Sequence, residues 1–347
     1  MSRADRLVTS GKVHLRHGRL AEAERCFRQA LAVQPAHARA YDRLGLCLVR
    51  SRRRDEATAA LWRSIQLKPS VDAYLNLGLV MRAGGDRGGC VDVLRQAAAA
   101  FPDDARVAAE FGRALHKHGQ FDEAADAFKE ALPRWPASER LVRCYGNLLF
   151  FQGKVGDAVE MYRAYLDAHP DNVVIRSALL VTLHYLAGVT PDELLREHRE
   201  WDRRHAAPLR REPRSFTNDR APDRRIRIGY VSGDFKDCSV GRFIRPVLAG
   251  HDRQRFEVFA YYDALLADAF TERIRADVDR WRQVHGRSHE QLAATIRADQ
   301  IDILVDLSMH TAVNRMPTFA RRPAPVQVTY LAYCSTTGLA GGCPTDC

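Results

Sequence analysis

A period of 33 or 34 residues runs through the first half of this sequence and restricts what the chain can fold into. One proline and one glycine recur at this step. The prolines are Pro35, Pro69, Pro102, Pro136 and Pro170, and the glycines are Gly11, Gly45, Gly78, Gly112 and Gly146. Internal repeats of this length are typical of solenoids, in which each unit buries its apolar face only against neighbouring units.

Each repeat also carries a small residue and a bulky apolar residue one helical turn apart. The small residues are Ala23, Ala57, Cys90, Ala124 and Ala158, and the bulky ones are Phe27, Leu61, Leu94, Phe128 and Tyr162. A small side chain allows a neighbouring helix to approach, and the large one fills the space beside it. The pattern predicts two helices per repeat, the second ending just before the proline.

This pattern resembles the tetratricopeptide repeat, and we expect five such repeats over residues 1–170. Residues 171–205 are expected to form capping and connecting helices, one of them starting with a capping box of Thr190 and Glu193. Residues 206–225 combine prolines with many arginines and few apolar side chains, which predicts an exposed linker.

Residues 226–339 change to a different pattern, in which short β-branched or aromatic runs alternate with helical stretches. The runs are RIRIGYVS, FEVFAYY, DILVDLS and VQVTYLAY. Such alternation predicts parallel βαβ units and a Rossmann-like α/β lobe. Ligands of these sheets bind at the carboxyl ends of the strands. The segments to consider are therefore 232–242, 306–314 and 333–338.

Composition narrows the possible functions. The net charge is +10, but the arginines are scattered over helix faces and no dense basic block favours nucleic-acid binding. None of the eight cysteines forms a CxxC pair, so we expect neither a metal site nor a disulfide framework. The first residues lack the apolar core of a signal peptide, and no apolar run is long enough to cross a bilayer. These features predict a cytoplasmic protein without a membrane segment.

The strings RIGYVSGDFKDCSVGRF, DILVDLSMHTAVNR and FARRPAPVQVTYLAYCSTTGL, with the upstream EHREWDRRHA, resemble the O-linked N-acetylglucosamine transferases and SPINDLY proteins. That family joins a tetratricopeptide superhelix to a two-lobed glycosyltransferase of the GT-B type. The resemblance implies transfer of N-acetylglucosamine from UDP-N-acetylglucosamine to serine or threonine hydroxyls, with no metal cofactor. It also implies that the repeats recruit acceptor or partner proteins. Plant relatives use GDP-fucose, so the donor sugar stays open.

The strand DILVDLS places two candidate catalytic residues at a carboxyl end, His310 in the following loop and Asp306 at the strand end. An imidazole there suits a polar or acid–base role. A single histidine in a loop is more often a surface or hydrogen-bonding residue, and this alternative stays open. We assign His310 to the active site without naming it as the base.

The loop KDCSVGRF opens a helix, and its backbone N–H groups suit an anion. Cys238, Ser239, Gly241 and Arg242 are therefore candidate substrate-binding residues. The alternative is a plain strand-to-helix turn with Ser239 as N-cap. In similar sequences the position of Cys238 is commonly histidine, and a thiol replaces that imidazole as a proton acceptor only if its pKa is depressed.

Two further groups of candidates complete the sequence-based site. The segment CSTTGL supplies Thr336, Thr337 and Gly338, which suit contact with a phosphate or sugar, unless they form a simple turn. Family members line the groove of the repeats with an asparagine two positions before each repeat glycine. In this sequence those positions hold Thr9, Arg43, Asn76, Glu110 and Cys144, so Asn76 alone is a candidate for the acceptor groove.

The family binds its nucleotide mainly in a second catalytic lobe, which this sequence does not reach. Residues 340–347 also depart from the family pattern, as a frameshift, a premature stop or an incomplete gene model would cause. We therefore expect the isolated 347 residues to be inactive as a transferase. The alternative function is a protein-interaction scaffold, in which the repeats bind a partner and the catalytic lobe is a vestige.

Overall fold

The structure is a computed structural model, which describes residues 1–210, 216–311, 314–333 and 335–340. It divides into two compact units, Met1–Met161 and Tyr162–Cys347. Five helix pairs account for the first unit and continue into the start of the second. Their helices are α1 (Arg3–Arg16), α2 (Leu20–Val33), α3 (Ala38–Arg50), α4 (Arg54–Leu67), α5 (Val71–Ala83), α6 (Arg87–Ala100), α7 (Ala105–His118), α8 (Phe121–Ala131), α9 (Glu139–Phe151) and α10 (Val155–Ala168).

Inside a repeat, the periodic glycine faces the bulky residue of the second helix. A Cβ added to Gly112 would lie 2.6 Å from the Phe128 ring, and one added to Gly78 would lie 3.2 Å from Leu94. Phe128 itself is fully buried, as is the small residue Ala124 one turn before it. The period therefore reflects close helix approach, with each glycine leaving room for a large side chain.

The second unit begins with more helices before any strand. These are α11 (Val173–Leu183), α12 (Pro191–Trp201), a π-helical turn (Asp202–Ala206) and a short 3₁₀ helix (Ala207–Arg210). The capping box predicted for Thr190 and Glu193 is present, with the Glu193 N–H donating to Thr190 Oγ1 at 3.2 Å. This helical segment precedes the sheet and contacts the loops that leave it.

The α/β region contains a five-stranded parallel sheet in the order β3-β2-β1-β4-β5. The elements are β1 (Ile226–Ser232), α13 (Ser239–Ala249), β2 (Phe256–Tyr262), α14 (Ala269–Ala276), β3 (Arg280–Gln283), α15 (His289–Ala298), β4 (Ile303–Asp306), α16 (Met316–Ala320) and β5 (Val326–Thr329). Helical repeats followed by a parallel α/β region confirm the predicted fold class.

Both faces of the sheet are covered by helices. On one face Tyr230 and Val258 pack with Ile244 of α13 and Ile274 of α14. On the other face Val231, Phe259 and Leu304 pack with Leu292 and Ile296 of α15 and with Phe319 of α16. Successive strand residues point to opposite faces, which explains why β1, β2 and β4 carry apolar residues on both faces.

The predicted exposed linker is partly wrong. Ala206 is fully buried, and residues 207–210 are helical. Further along, Asn218 Nδ2 donates to Asp302 Oδ1 at 2.7 Å and Arg224 Nη1 donates to Asp302 Oδ2 at 2.6 Å. Because Asp302 lies just before β4, these bonds attach the connector to the amino edge of the sheet. Apart from Ala340, the tail predicted over 340–347 lies outside the described residues.

Candidate functional site

The three candidate loops leave the same edge of the sheet, because parallel strands all end there. Strand β1 ends at Ser232, β4 at Asp306 and β5 at Thr329. The strand order reverses at β1, which lies between β2 and β4. A crevice at such a reversal is the usual ligand site of an open α/β sheet. The predicted loops therefore lie at the carboxyl edge of the sheet, and their role in ligand binding stays a prediction.

The loop after β1 is organised by its own backbone. Cys238, not Ser239, occupies the N-cap of α13, and its side chain makes no cap hydrogen bond. Its thiol instead donates to the Asp234 carbonyl oxygen at 3.5 Å. The Asp237 N–H donates to Asp268 Oδ2 at 2.9 Å, which attaches this loop to the start of α14.

Gly241 and Arg242 have contacts within the same loop. A Cβ on Gly241 would overlap the carbonyl oxygen of Lys236, so packing alone accounts for the glycine. The Arg242 side chain is 68% exposed, and its Nε donates to Asp237 Oδ1 at 2.7 Å. Arg242 also lines a 690 Å³ surface cavity with Arg245, Phe270 and other residues of α13 and α14.

Asp306 stabilises the turn that follows β4. Its carboxylate is buried and accepts hydrogen bonds from the Ser308 N–H at 3.1 Å and the Met309 N–H at 2.7 Å. Burial raises the pKa of Asp306 to about 6, and these two N–H groups oppose the rise. Met309 has a φ of +45°, so the carboxylate holds a turn that is uncommon for a non-glycine residue.

His310 is 1% exposed, and both of its ring nitrogens lie within hydrogen-bonding distance of other protein atoms. Nε2 lies 3.0 Å from the Thr337 carbonyl oxygen, and Nδ1 lies 3.4 Å from Ser177 Oγ. The ring meets Trp201 edge-on at 4.7 Å between centroids. Burial lowers the pKa of His310 to about 3, so the imidazole is neutral at physiological pH. In this geometry the ring connects segments of the protein, and the acid–base role suggested by the sequence stays a prediction.

The Thr336–Gly338 segment forms a turn against α12. Thr336 Oγ1 accepts from the Gly338 N–H at 3.0 Å, and Thr337 Oγ1 accepts from the Leu339 N–H at 3.2 Å. Gly338 has a φ of +72°, and a Cβ there would overlap the His198 carbonyl oxygen. Both hydroxyls thus stabilise the local turn, which is the simple-turn alternative for this segment.

A cleft of about 520 Å³ opens beside this turn, at the carboxyl ends of β4 and β5. Its lining comprises Met309, Thr329, Tyr330, Leu331, Ala332, Tyr333 and Ser335. Tyr330 is 47% exposed, so its ring is available to a ligand. The cleft combines backbone and hydroxyl groups with apolar and aromatic surface, a mixture typical of small-molecule sites.

Sequence reasoning missed the residues that support this cleft from outside the α/β region. Ser177 of α11 and His198 and Trp201 of α12 are all buried beside His310 and Tyr333. His198 and Trp201 belong to the segment EHREWDRRHA, which contributes to the resemblance to the transferase family, but the sequence pattern suggested no role for either residue. Nothing in the local pattern distinguishes Ser177.

A second buried cluster was also missed. At the end of β2, Asp263 accepts two hydrogen bonds from Arg315, at 2.6 and 2.9 Å. Arg315 also donates to the Arg287 carbonyl oxygen at 2.9 Å. Hydrogen bonds and charge from His285 and Arg315 keep the pKa of Asp263 low despite burial. The pair holds the segment after the His310 loop against the neighbouring loops of the sheet.

In the repeats, Asn76 donates from Nδ2 to Asp42 Oδ1 at 2.7 Å. Neighbouring charges also pair between helices, since Arg43 lies 3.4 Å from Asp72, and Arg106 lies 3.3 Å from Asp72. Burial raises the pKa of Asp42. The amide predicted for the acceptor groove is therefore hydrogen-bonded to the preceding repeat, and its role in acceptor binding stays a prediction.

Two other types of site are absent from the described ranges. No group of three His, Cys, Asp or Glu residues there has a geometry that could hold a metal ion. No helix in those ranges is both long and apolar enough to cross a membrane.

Parts of this sequence match known protein families and curated relatives. Residues 198–341 match the model of Glycosyl transferase family 41, and residues 8–72 and 75–139 match that of the Tetratricopeptide repeat. A probable UDP-N-acetylglucosamine–peptide N-acetylglucosaminyltransferase SPINDLY of Solanum lycopersicum is 39% identical over 178 residues, which are 50% of this chain and 19% of the relative. The corresponding SEC protein of Arabidopsis thaliana is 38% identical over 118 residues, 33% of this chain and 12% of the relative.

Among solved structures, a mutant of Thermobaculum terrenum O-GlcNAc transferase aligns with 98% of this chain and 53% of its own. The identity is 30% and the TM-score 0.47. The match to the tomato SPINDLY protein spans about a fifth of that protein's length. The chain thus joins tetratricopeptide repeats to a region that matches glycosyl transferase family 41, and half of it is similar to the SPINDLY proteins.

Proposed function

We propose that this chain takes part in transferring N-acetylglucosamine from UDP-N-acetylglucosamine to serine or threonine hydroxyls of proteins. The observation that carries the proposal is the 520 Å³ cleft at the carboxyl ends of β4 and β5, which lies within the region matching glycosyl transferase family 41. The curated relatives are named for this donor and for peptide acceptors.

The lining of the cleft suits a sugar. The exposed Tyr330 ring offers a flat surface for the apolar face of a pyranose, and Thr329 and Ser335 offer hydroxyl groups. The neutral His310 and the Asp306 carboxyl lie behind this wall, where they support the loops. In this proposal the chain binds and orients the sugar without a metal ion.

The repeats provide the protein-binding part of the proposal, since stacked tetratricopeptide units suit an extended peptide. Of the five positions where family members carry a groove asparagine, only position 76 holds an asparagine in this sequence. Arg43, Asp72 and Arg106 form ion pairs between successive repeats, and Asn76 is bonded to Asp42. An acceptor would therefore meet a surface of alternating charges. We expect its recognition to depend on salt concentration.

Binding of the donor gives the direct test. Saturation-transfer NMR with UDP-N-acetylglucosamine should show contact of the sugar ring with the protein, and GDP-fucose serves as the competing donor. The Tyr330→Ala variant should weaken binding about tenfold, as expected for loss of roughly 1.4 kcal/mol. Tyr185→Ala is the matched control, because Tyr185 is 62% exposed and does not line the cleft.

Absence of sugar contact with either donor would overturn the proposal for this chain. Preferential contact with GDP-fucose would preserve the transferase class and change the donor. If neither donor binds while the repeats still retain an acceptor protein, the scaffold function takes its place.

A further inference from the structure

The contacts around Ser177 have only one consistent hydrogen-bonding direction. The indole N–H of Trp201 can only donate, and it lies 3.1 Å from Ser177 Oγ. The Ser177 oxygen therefore accepts, and its own proton is available for His310 Nδ1 at 3.4 Å. Trp201, Ser177 and His310 are 0%, 2% and 1% exposed, so the protein must supply these partners.

The contact of His310 Nε2 independently requires the same protonation of the ring. The Thr337 carbonyl oxygen can only accept, so Nε2 at 3.0 Å must carry the proton. A neutral imidazole has one N–H, which leaves Nδ1 as an acceptor for the Ser177 hydroxyl. Both ends of the chain of hydrogen bonds thus select the same tautomer of His310.

A second chain of hydrogen bonds runs parallel to the first. The Tyr333 hydroxyl lies 3.4 Å from His198 Nε2. His198 Nδ1 must donate to the Leu194 carbonyl oxygen at 2.7 Å, so Nε2 accepts from Tyr333. His198 and His310 are therefore held in opposite tautomers, with their rings 5.4 Å apart.

We propose that Ser177 and His198 are positioning residues that hold the wall of the cleft through His310 and Tyr333. Ser177 selects the tautomer in which His310 holds the Thr337 carbonyl, and His198 holds the Tyr333 hydroxyl. Tyr333 and Ser335 line the cleft, and Thr337 follows two residues later. Helices α11 and α12 thereby determine the shape of a cleft formed by loops of the sheet. The inference depends on the proposed function only for the identity of the ligand.

Nitrogen NMR of the ¹⁵N-histidine-labelled full chain tests the tautomers directly. The shifts and long-range couplings should show His310 protonated at Nε2 and His198 protonated at Nδ1. Ser177→Ala removes the donor to His310 Nδ1, while the Thr337 carbonyl still favours the Nε2–H tautomer, so the Nδ1 shift should move toward that of a nitrogen without a hydrogen bond. Amide exchange over residues 336–339 should become about tenfold faster, equivalent to about 1.4 kcal/mol. Ser177→Thr retains the hydroxyl and should restore both readouts.

Thr182→Ala is the matched control. Thr182 is also buried on α11, but its hydroxyl donates to the Ala178 carbonyl oxygen within the helix. This variant perturbs α11 and should leave the His310 shifts unchanged. The wild-type tautomers can be measured even if Ser177→Ala does not fold.

An Nδ1–H tautomer of His310, or exchange over 336–339 that responds equally to Ser177→Ala and Thr182→Ala, would overturn the inference. Its failure is distinguishable from failure of the proposed function. The tautomers and exchange rates are measured without ligand, whereas the transferase proposal depends on sugar contact in the cleft.

Discussion

Gly338 shows how a single residue can be required by two independent constraints. Its backbone lies in the left-handed region at a φ of +72°, and its Cα faces the His198 carbonyl oxygen so closely that a Cβ would overlap it. In the sequence, this glycine resembled a ligand-binding residue of a TTG motif. In the structure, its immediate neighbour is helix α12.

Gly338→Ala should destabilise the turn by more than backbone strain alone. Gly286→Ala provides the comparison, because Gly286 has a φ of +80° and a Cβ added there would have no atom within 4 Å. We expect about 1 kcal/mol for Gly286→Ala and about 2–4 kcal/mol for Gly338→Ala, the difference arising from the overlap with His198. Hydrogen exchange of the amides in β4 and β5 measures both. Equal effects would show that the α12 contact relaxes at no cost.

The sequence could place candidate residues at the carboxyl edge of the sheet, but it could not give the contacts of their side chains. Asp306 and His310 follow a buried strand, and a strand end is visible in the pattern. The partners of His310 are not visible, because 133 residues separate it from Ser177. Burial by distant segments changes a loop histidine with an ordinary pKa into a neutral ring with both nitrogens engaged. Local sequence carries no information on such desolvation.

At the scale of elements, regular patterns were predicted well and irregular ones were missed. The runs around β1, β2 and β4 are apolar because both faces of the sheet are covered there. The missed strand β3 reads Arg-Trp-Arg-Gln and lies at the sheet edge, where most of its side chains are exposed. An edge strand needs no apolar alternation, and charged residues there oppose edge-to-edge pairing.

Alanine substitutions at two repeat glycines, Gly78 and Gly112, should change the stability of the repeats by different amounts. Alanine raises helix propensity by about 1 kcal/mol over glycine, while overpacking costs about 1–3 kcal/mol. For Gly78→Ala the new Cβ lies 3.2 Å from the flexible Leu94 side chain, so the two effects nearly cancel. For Gly112→Ala it lies 2.6 Å from the rigid Phe128 ring, so we expect net destabilisation.

Urea denaturation of the two variants, followed by helical circular dichroism, checks this order. Combining Gly112→Ala with Phe128→Leu should recover part of the loss, because the smaller side chain makes room for the methyl group. If Gly78→Ala is the more damaging change, helix spacing in the repeats is not set by these glycine contacts.

At the scale of the whole molecule, the two units differ in their content of buried imidazoles. Among the described residues, burial lowers the pKa of six histidines in the second unit and of one, His116, in the first. The six are His184, His198, His205, His251, His289 and His310. Within this group, the pKa falls to about 4 for His198 and His289 and to about 3 for His310.

These shifts predict that the second unit is the more sensitive to acid. A histidine whose folded pKa is lowered stabilises the fold above its unfolded pKa of about 6.5, and this stabilisation is lost as pH falls toward the folded value. Between pH 6.5 and 5 the buried His198 and His310 each account for about 2 kcal/mol. Asp306 acts in the opposite direction, since its raised pKa gives stability that is lost as pH rises through about 6. One carboxyl does not offset several imidazoles.

Hydrogen exchange followed by mass spectrometry at pH 7 and pH 5, corrected for intrinsic exchange rates, separates the two units. Protection should fall in peptides of residues 173–206 and 226–333 and change less in residues 1–161. Equal loss of protection in both units at pH 5 would contradict the assignment of acid sensitivity to these histidines.

The long separation between His198 and Tyr333, 135 residues, also has a consequence for biosynthesis. Each repeat can pack as soon as it leaves the ribosome, because its contacts are with adjacent repeats. Helices α11 and α12 emerge early but must wait for β5 and the loop that follows it. During that interval the Trp201 side chain has no completed pocket, so nascent chains of this protein would present a chaperone-binding site that disappears when translation reaches the Thr337 turn.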